Sequence, residues 1–101
     1  MSENLLNLVN TIKDRKNKDK DKSYTSSLLS VGLSKCIEKM EEEFGELKEA
    51  LNDKSNVVHE AADTIHHILV TLEAADIKFE DVLKELESRK KQSGINEKKN
   101  R

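Results

Sequence analysis

Leu5, Leu6, Leu8, Val9 and Ile12 recur at spacings that gather on one side of a helix, predicting a first helix over about residues 3–16. A polar run from Asn17 to Lys22 then interrupts the pattern and reads as a connector or as a loop over a site. From about Thr25 to Leu51, Leu29, Leu33, Ile37, Met40, Phe44, Leu47 and Leu51 return at alternating steps of four and three, predicting one long amphipathic helix with a single seam. Gly32 and Gly45 fall inside it, each tolerated at roughly 1 kcal/mol. Asn52, Asp53 and Lys54 predict a turn, with Ser55 as the N-cap of the next helix. That third helix, about residues 56–75, places Val57, Val58, Ala61, Ile65, Ile68 and Leu72 on one face with Leu69 beside them, and is expected to be the most buried element. Val70 points away from that face and is expected to help cover a subunit interface. A fourth helix over about residues 79–90 carries Val82, Leu83 and Leu86. The chain thus reads as all-α and four-helix bundle-like, one helical domain over residues 1–91. A polar tail, residues 92–101, has too little hydrophobicity to pack.

Composition sharpens this picture in one respect. The 101 residues include no proline and three glycines, which suits a single helical domain, but 38% are charged, 35% hydrophobic, and there are two Phe, one Tyr and no Trp. The core a lone copy could bury is thin, so completion of the bundle by dimerisation is expected. The net charge of -2 conceals acidic residues gathered around 38–49 and basic ones around 13–22 and 89–101. Only Tyr24 lies near the basic runs as a stacking platform, so nucleic acid is not expected as a partner. No apolar run approaches about 18 residues, and the opening Met1-Ser2-Glu3-Asn4 lacks the basic and apolar regions of a signal peptide. No membrane association and a cytoplasmic location are therefore expected. Cys36 is the sole cysteine, which rules out an intramolecular disulfide and suits a small, partly buried filler.

The chemistry lies in the acids. Placed at about 100° intervals, Glu43 and Glu46 share the flank of the long seam while Glu42 points further out. On the next helix Glu60, Asp63 and His67 form a stripe at i, i+3 and i+7. Carboxylates three apart repel each other, at small cost in water and larger cost in a partly buried groove. Acids converging from two antiparallel helices are what a hard divalent cation such as Mg²⁺ needs, with coordination positions left for water and phosphate. Acidic runs on charged helices are also commonly solvated faces, as Glu41 and Glu49 are expected to be, and spacing alone leaves both readings open. The run from His59 to Asp63 imitates the HExxH zinc motif but lacks its second histidine, and coincidence is the better account. His66 and His67 are read as helix-surface or interface residues.

The run from Lys39 through Glu42, Glu43 and Glu46, followed by His59, Glu60, Ala61, Ala62 and Asp63, resembles the EExxE…ExxD signature of the all-α nucleotide pyrophosphohydrolases. Arg15-Lys16-Asn17, Ser23-Tyr24-Thr25, Leu28-Leu29, Gly32-Leu33 and the His59–Asp63 run before His67 look like the phosphoribosyl-ATP pyrophosphohydrolase branch, a likeness spanning about residues 5–90. The chain departs from that pattern at Glu41, where the family commonly has glycine, and in Asp19-Lys20-Asp21-Lys22, where it commonly has a proline.

The resemblance implies a Mg²⁺-dependent helical dimer that hydrolyses 1-(5-phosphoribosyl)-ATP to phosphoribosyl-AMP and pyrophosphate, the second step of histidine biosynthesis. Glu43, Glu46, Glu60 and Asp63 match the metal-binding acids, with Glu42 a further site acid. Arg15, Lys16 and Lys39 would meet phosphates, while Ser23, Tyr24 and Thr25 would shape the substrate loop. Catalysis would neutralise phosphate charge and align a water, activated by Glu42 or by the metal. Two rival readings keep the same residues. One is a house-cleaning nucleoside triphosphate pyrophosphohydrolase; the other is a non-catalytic interaction module in which Leu33, Ile37, Met40, Phe44 and Leu47 are an assembly seam.

Overall fold

The computed structural model describes residues 2–16 and 24–90, and the described residues form helices without strands. The helices are α1 (Ser2–Arg15), α2 (Tyr24–Ser30), α3 (Leu33–Asp53), α4 (Val57–Ala74) and α5 (Phe79–Lys90). Asn17–Lys22, Ser23 and the 92–101 tail lie outside the described residues.

The all-α reading holds, but the single long helix expected from Thr25 to Leu51 is two. Gly32 adopts φ 93, a conformation side-chain-bearing residues rarely take, and it breaks the chain between α2 and α3. Gly45 lies in unbroken helix, with open space around the position of an added Cβ. Two glycines with the same apparent role in the periodicity therefore do different things. The α3–α4 turn is also tighter than expected. Lys54 and Asn56 are left-handed, the Ser55 N–H bonds Ala50 O at 3.1 Å, and Asn56 rather than Ser55 precedes α4, with no side-chain cap bond.

The described core gathers at one end. Val9 and Ile12 of α1, Leu28 of α2, Cys36 near the start of α3, Leu69 and Val70 of α4 and Phe79 of α5 pack together. Helix α4 is the hub, packing on all four others and most extensively on α3. Its register departs from the expected face. Val58 is 85% exposed and Ile65 51%, whereas Val70, expected at an interface, is 1% exposed in the core. The side chains turned to α3 include Thr64 and Thr71, whose hydroxyls bond carbonyls of that helix, so a search for apolar residues alone misplaces the face.

The seam of α3 is likewise split along its length. Met40 and Leu47 are partly buried, with Cys36 and Ala50 buried beside them, while Leu33, Ile37, Phe44 and Leu51 are left exposed. Those four residues share one stripe, and Val58 and Ile65 form another on α4.

The glycines give a direct check. Gly45→Ala should stabilise the protein by about 1 kcal/mol because it removes unfolded-state freedom at no steric cost. Gly32→Ala should destabilise it by about 1 kcal/mol or more because φ 93 strains any side chain. Chemical denaturation of both variants measures each sign.

Candidate active site

The α3–α4 pair continues past the core, and the acids sit on that extension. One carboxylate oxygen each from Glu43, Glu46 and Glu60 lies within 4.8 Å of the others. The same limit encloses His59, Glu60 and Asp63, so Glu60 belongs to both groups. Asp63 is also 3.2 Å from His59 Nε2. Among the described residues, Glu43 Oε2 and Glu60 Oε2 are buried without a hydrogen-bond partner.

An unpaired buried carboxylate oxygen is costly, and here the neighbours worsen it. Burial first, and then the negative charges of Glu46, Asp63 and Glu60, push the Glu43 carboxyl above the usual carboxylate range. Burial and Glu46 do the same to Glu60, with His59 opposing. His67 Nε2 comes within 3.7 Å of Glu43 Oε1, too far for a hydrogen bond, and burial together with His66 lowers the His67 pKa below its ordinary value. Burial thus disfavours the imidazolium form that could offset the charge of the cluster. Lys39 is committed to Glu42, 3.3 Å away at the surface. Converging oxygens, two of them without partners, fit a hard divalent cation, which would be held by Glu43, Glu46, Glu60 and Asp63.

The family model described as phosphoribosyl-ATP pyrophosphohydrolase matches residues 5–90. The chain belongs to this family. Proteins named phosphoribosyl-ATP pyrophosphatase from Roseobacter denitrificans and Ruegeria pomeroyi are 46% and 45% identical to it, each match covering 93% of this chain and 91% of the relative. Another so named, from Dinoroseobacter shibae, is 43% identical over 96% of this chain and 97% of the relative. The chain is thus a phosphoribosyl-ATP pyrophosphohydrolase family member in nearly its full length.

The remaining predicted site residues of this family member fall in two places. Tyr24, Ser27, Leu28, Val31, Lys35 and Lys39 line an open groove between α2 and α3. Tyr24 stands edge-on to His67, with ring centroids 6.0 Å apart, so the groove adjoins the acids through His67 and Glu43. Thr25 is buried, and its Oγ1 is 3.3 Å from His66 Nε2, which ties α2 to α4. Ser26 Oγ donates to Arg15 O at 2.8 Å and ties α2 to α1.

Lys16 is not with the acids. Its Nζ donates to Asp76 Oδ1 at 2.6 Å and to Glu73 O at 3.2 Å, at the opposite end of α4. Glu73 is ten residues beyond Asp63, about 15 Å along the axis. Asp76 raises the Lys16 pKa, chiefly through that hydrogen bond. His67 was on the Glu60–Asp63 stripe in the sequence but was read as a helix-surface or interface residue, whereas it is buried at 5% exposure beside Glu43; nothing in the periodicity marked Thr64.

A carboxyl whose folded pKa is raised binds its proton more tightly in the folded state than in the unfolded one. The stability that Glu43 and Glu60 contribute is then fully present below the ordinary value of 4.5 and is lost as pH rises through their raised values. Calorimetry in chelator should show the melting temperature of the wild type falling more steeply than that of Glu43→Gln as the pH rises above the ordinary carboxylate value of 4.5. Glu43→Gln should flatten that slope and raise the metal-free melting temperature at neutral pH by about 4 °C.

Proposed function

We propose that this chain hydrolyses 1-(5-phosphoribosyl)-ATP to 1-(5-phosphoribosyl)-AMP and pyrophosphate, the second step of histidine biosynthesis, as a Mg²⁺-dependent cytoplasmic homodimer. The observation that carries the site is the pair of buried oxygens on Glu43 and Glu60, without partners among the described residues, within one carboxylate cluster, in a chain that matches this family from residue 5 to residue 90. Glu43, Glu46, Glu60 and Asp63 would hold the Mg²⁺, which would supply positive charge to offset that of the phosphates.

The chain's own residues do the rest. Glu42, exposed, next to Glu43 in sequence and paired with Lys39, takes the proton of the attacking water, or the metal activates that water directly. Lys39 faces both Glu42 and the α2–α3 groove, so it is placed to meet a phosphate that enters from the groove. Tyr24 offers that groove an aromatic wall. Arg15 carries a further positive charge at the end of α1, next to α2. Lys16 would have to leave Asp76 to reach a phosphate at the acids. The exposed stripes of Leu33, Ile37, Phe44, Leu51, Val58 and Ile65 suit a second copy of the chain, which would supply the apolar surface the thin core lacks.

Pyrophosphate release should be seen from phosphoribosyl-ATP with Mg²⁺ and abolished by chelator, and Glu46→Gln should lower it at least about 100-fold. Release from ordinary or modified nucleoside triphosphates instead would transfer the site to a house-cleaning role, and release from nothing would favour an interaction module. In sedimentation at micromolar concentration the wild type should be a dimer. Phe44→Glu, which places a charge in the middle of the exposed stripe, should be monomeric.

A further inference from the structure

Among the described residues, two hydroxyls hydrogen-bond across the α3–α4 interface, and both belong to threonines of α4. Thr64 Oγ1 is 3.2 Å from Glu43 O and 2.8 Å from Glu60 O. Thr71 Oγ1 is 3.2 Å from Cys36 O and 2.7 Å from His67 O. The two contacts are the same device repeated seven residues apart on each helix: a buried hydroxyl lies between the carbonyl four residues back on its own helix and a carbonyl of the facing one. They differ in where they fall. Thr71 sits in the core, where its target residue Cys36 is held by packing. Thr64 sits among the acids, and both of its acceptor carbonyls belong to carboxylate residues of the candidate cation site.

We propose that Thr64 is a positioning residue for the active site, setting the separation and register of Glu43 against Glu60. The proposal rests on the metal reading given above. Repulsion among Glu43, Glu46, Glu60 and Asp63 pushes α3 and α4 apart at this level, beyond the core cluster that holds the other end together. A hydroxyl shared between the peptide carbonyls of one acid from each helix opposes that drift at its source. Mg²⁺ demands near-ideal octahedral geometry, so slack of about 0.5 Å between ligands on different helices is enough to lose affinity. Both carbonyls also lie within helices, so removing the hydroxyl leaves their helical partners in place and costs the fold little.

The test uses Mn²⁺ alone, read by calorimetry and by electron paramagnetic resonance, on the full chain and three variants. Thr64→Val keeps the side chain's shape and removes the hydroxyl; Thr64→Ser restores the hydroxyl; Thr71→Val breaks the equivalent bond away from the acids. Thr64→Val should weaken Mn²⁺ binding about tenfold, Thr64→Ser should remain within about threefold of wild type, and Thr71→Val should also remain within about threefold while melting no higher than Thr64→Val. Unchanged affinity in Thr64→Val, or an equal loss in Thr71→Val, would overturn the positioning role while leaving the metal site intact. A wild type that binds no Mn²⁺ would overturn the metal reading and the positioning role with it.

Discussion

Glu43 on α3 and Glu60 on α4 are held close to each other and to Glu46, each with a buried oxygen that finds no partner among the described residues. Like charges in that arrangement drive the helices apart, and both carboxyls answer by holding their protons more tightly than a carboxylate in water. The rest of the molecule is organised around that tension. Its packed core lies at the other end of α4, where α1, α2, the start of α3 and α5 converge, and the acids lie farther along the α3–α4 pair. Buried His67 lies 3.7 Å from Glu43, and its burial disfavours the charged form of the imidazole.

Short polar contacts fix the surroundings. Thr25 with His66 and Ser26 with Arg15 O bind the short α2 to α4 and α1, so that Tyr24 and the groove it lines stand beside the acids. Seven residues would not hold a helix alone, and tertiary contact is what keeps this one in place. At the far end, Lys16 bonds Glu73 O and Asp76 at the C-terminus of α4, where a cation complements the helix dipole. One basic residue near the end of α1 is thereby committed to the scaffold in this arrangement.

Much of this was legible in the residues. Apolar spacing located α1, α4 and α5 to within about a residue or two, because amphipathic periodicity reports which stretches bury a face. The acid pairs at Glu43 and Glu46 and at Glu60 and Asp63 stood out because carboxylates three apart on successive helices share an edge. The faces themselves were harder to read. On α4 the side turned to α3 carries Thr64, His67 and Thr71, which are buried through hydrogen bonds and aromatic contact rather than by being apolar, while Val58 and Ile65 stay exposed. On α3 the seam proved to serve two surfaces, one against α4 and one outward.

From the residues alone came the helical class, the positions of most elements, the candidate acids and the family likeness, since each depends on local spacing and side-chain type. The break at Gly32, the burial of Val70, the commitment of Lys16 to Asp76 and the placement of the Thr64 hydroxyl between Glu43 and Glu60 were decided only by tertiary structure. Those features depend on which helix lies opposite and at what register. Periodicity constrains a helix against its own axis but not against its neighbour.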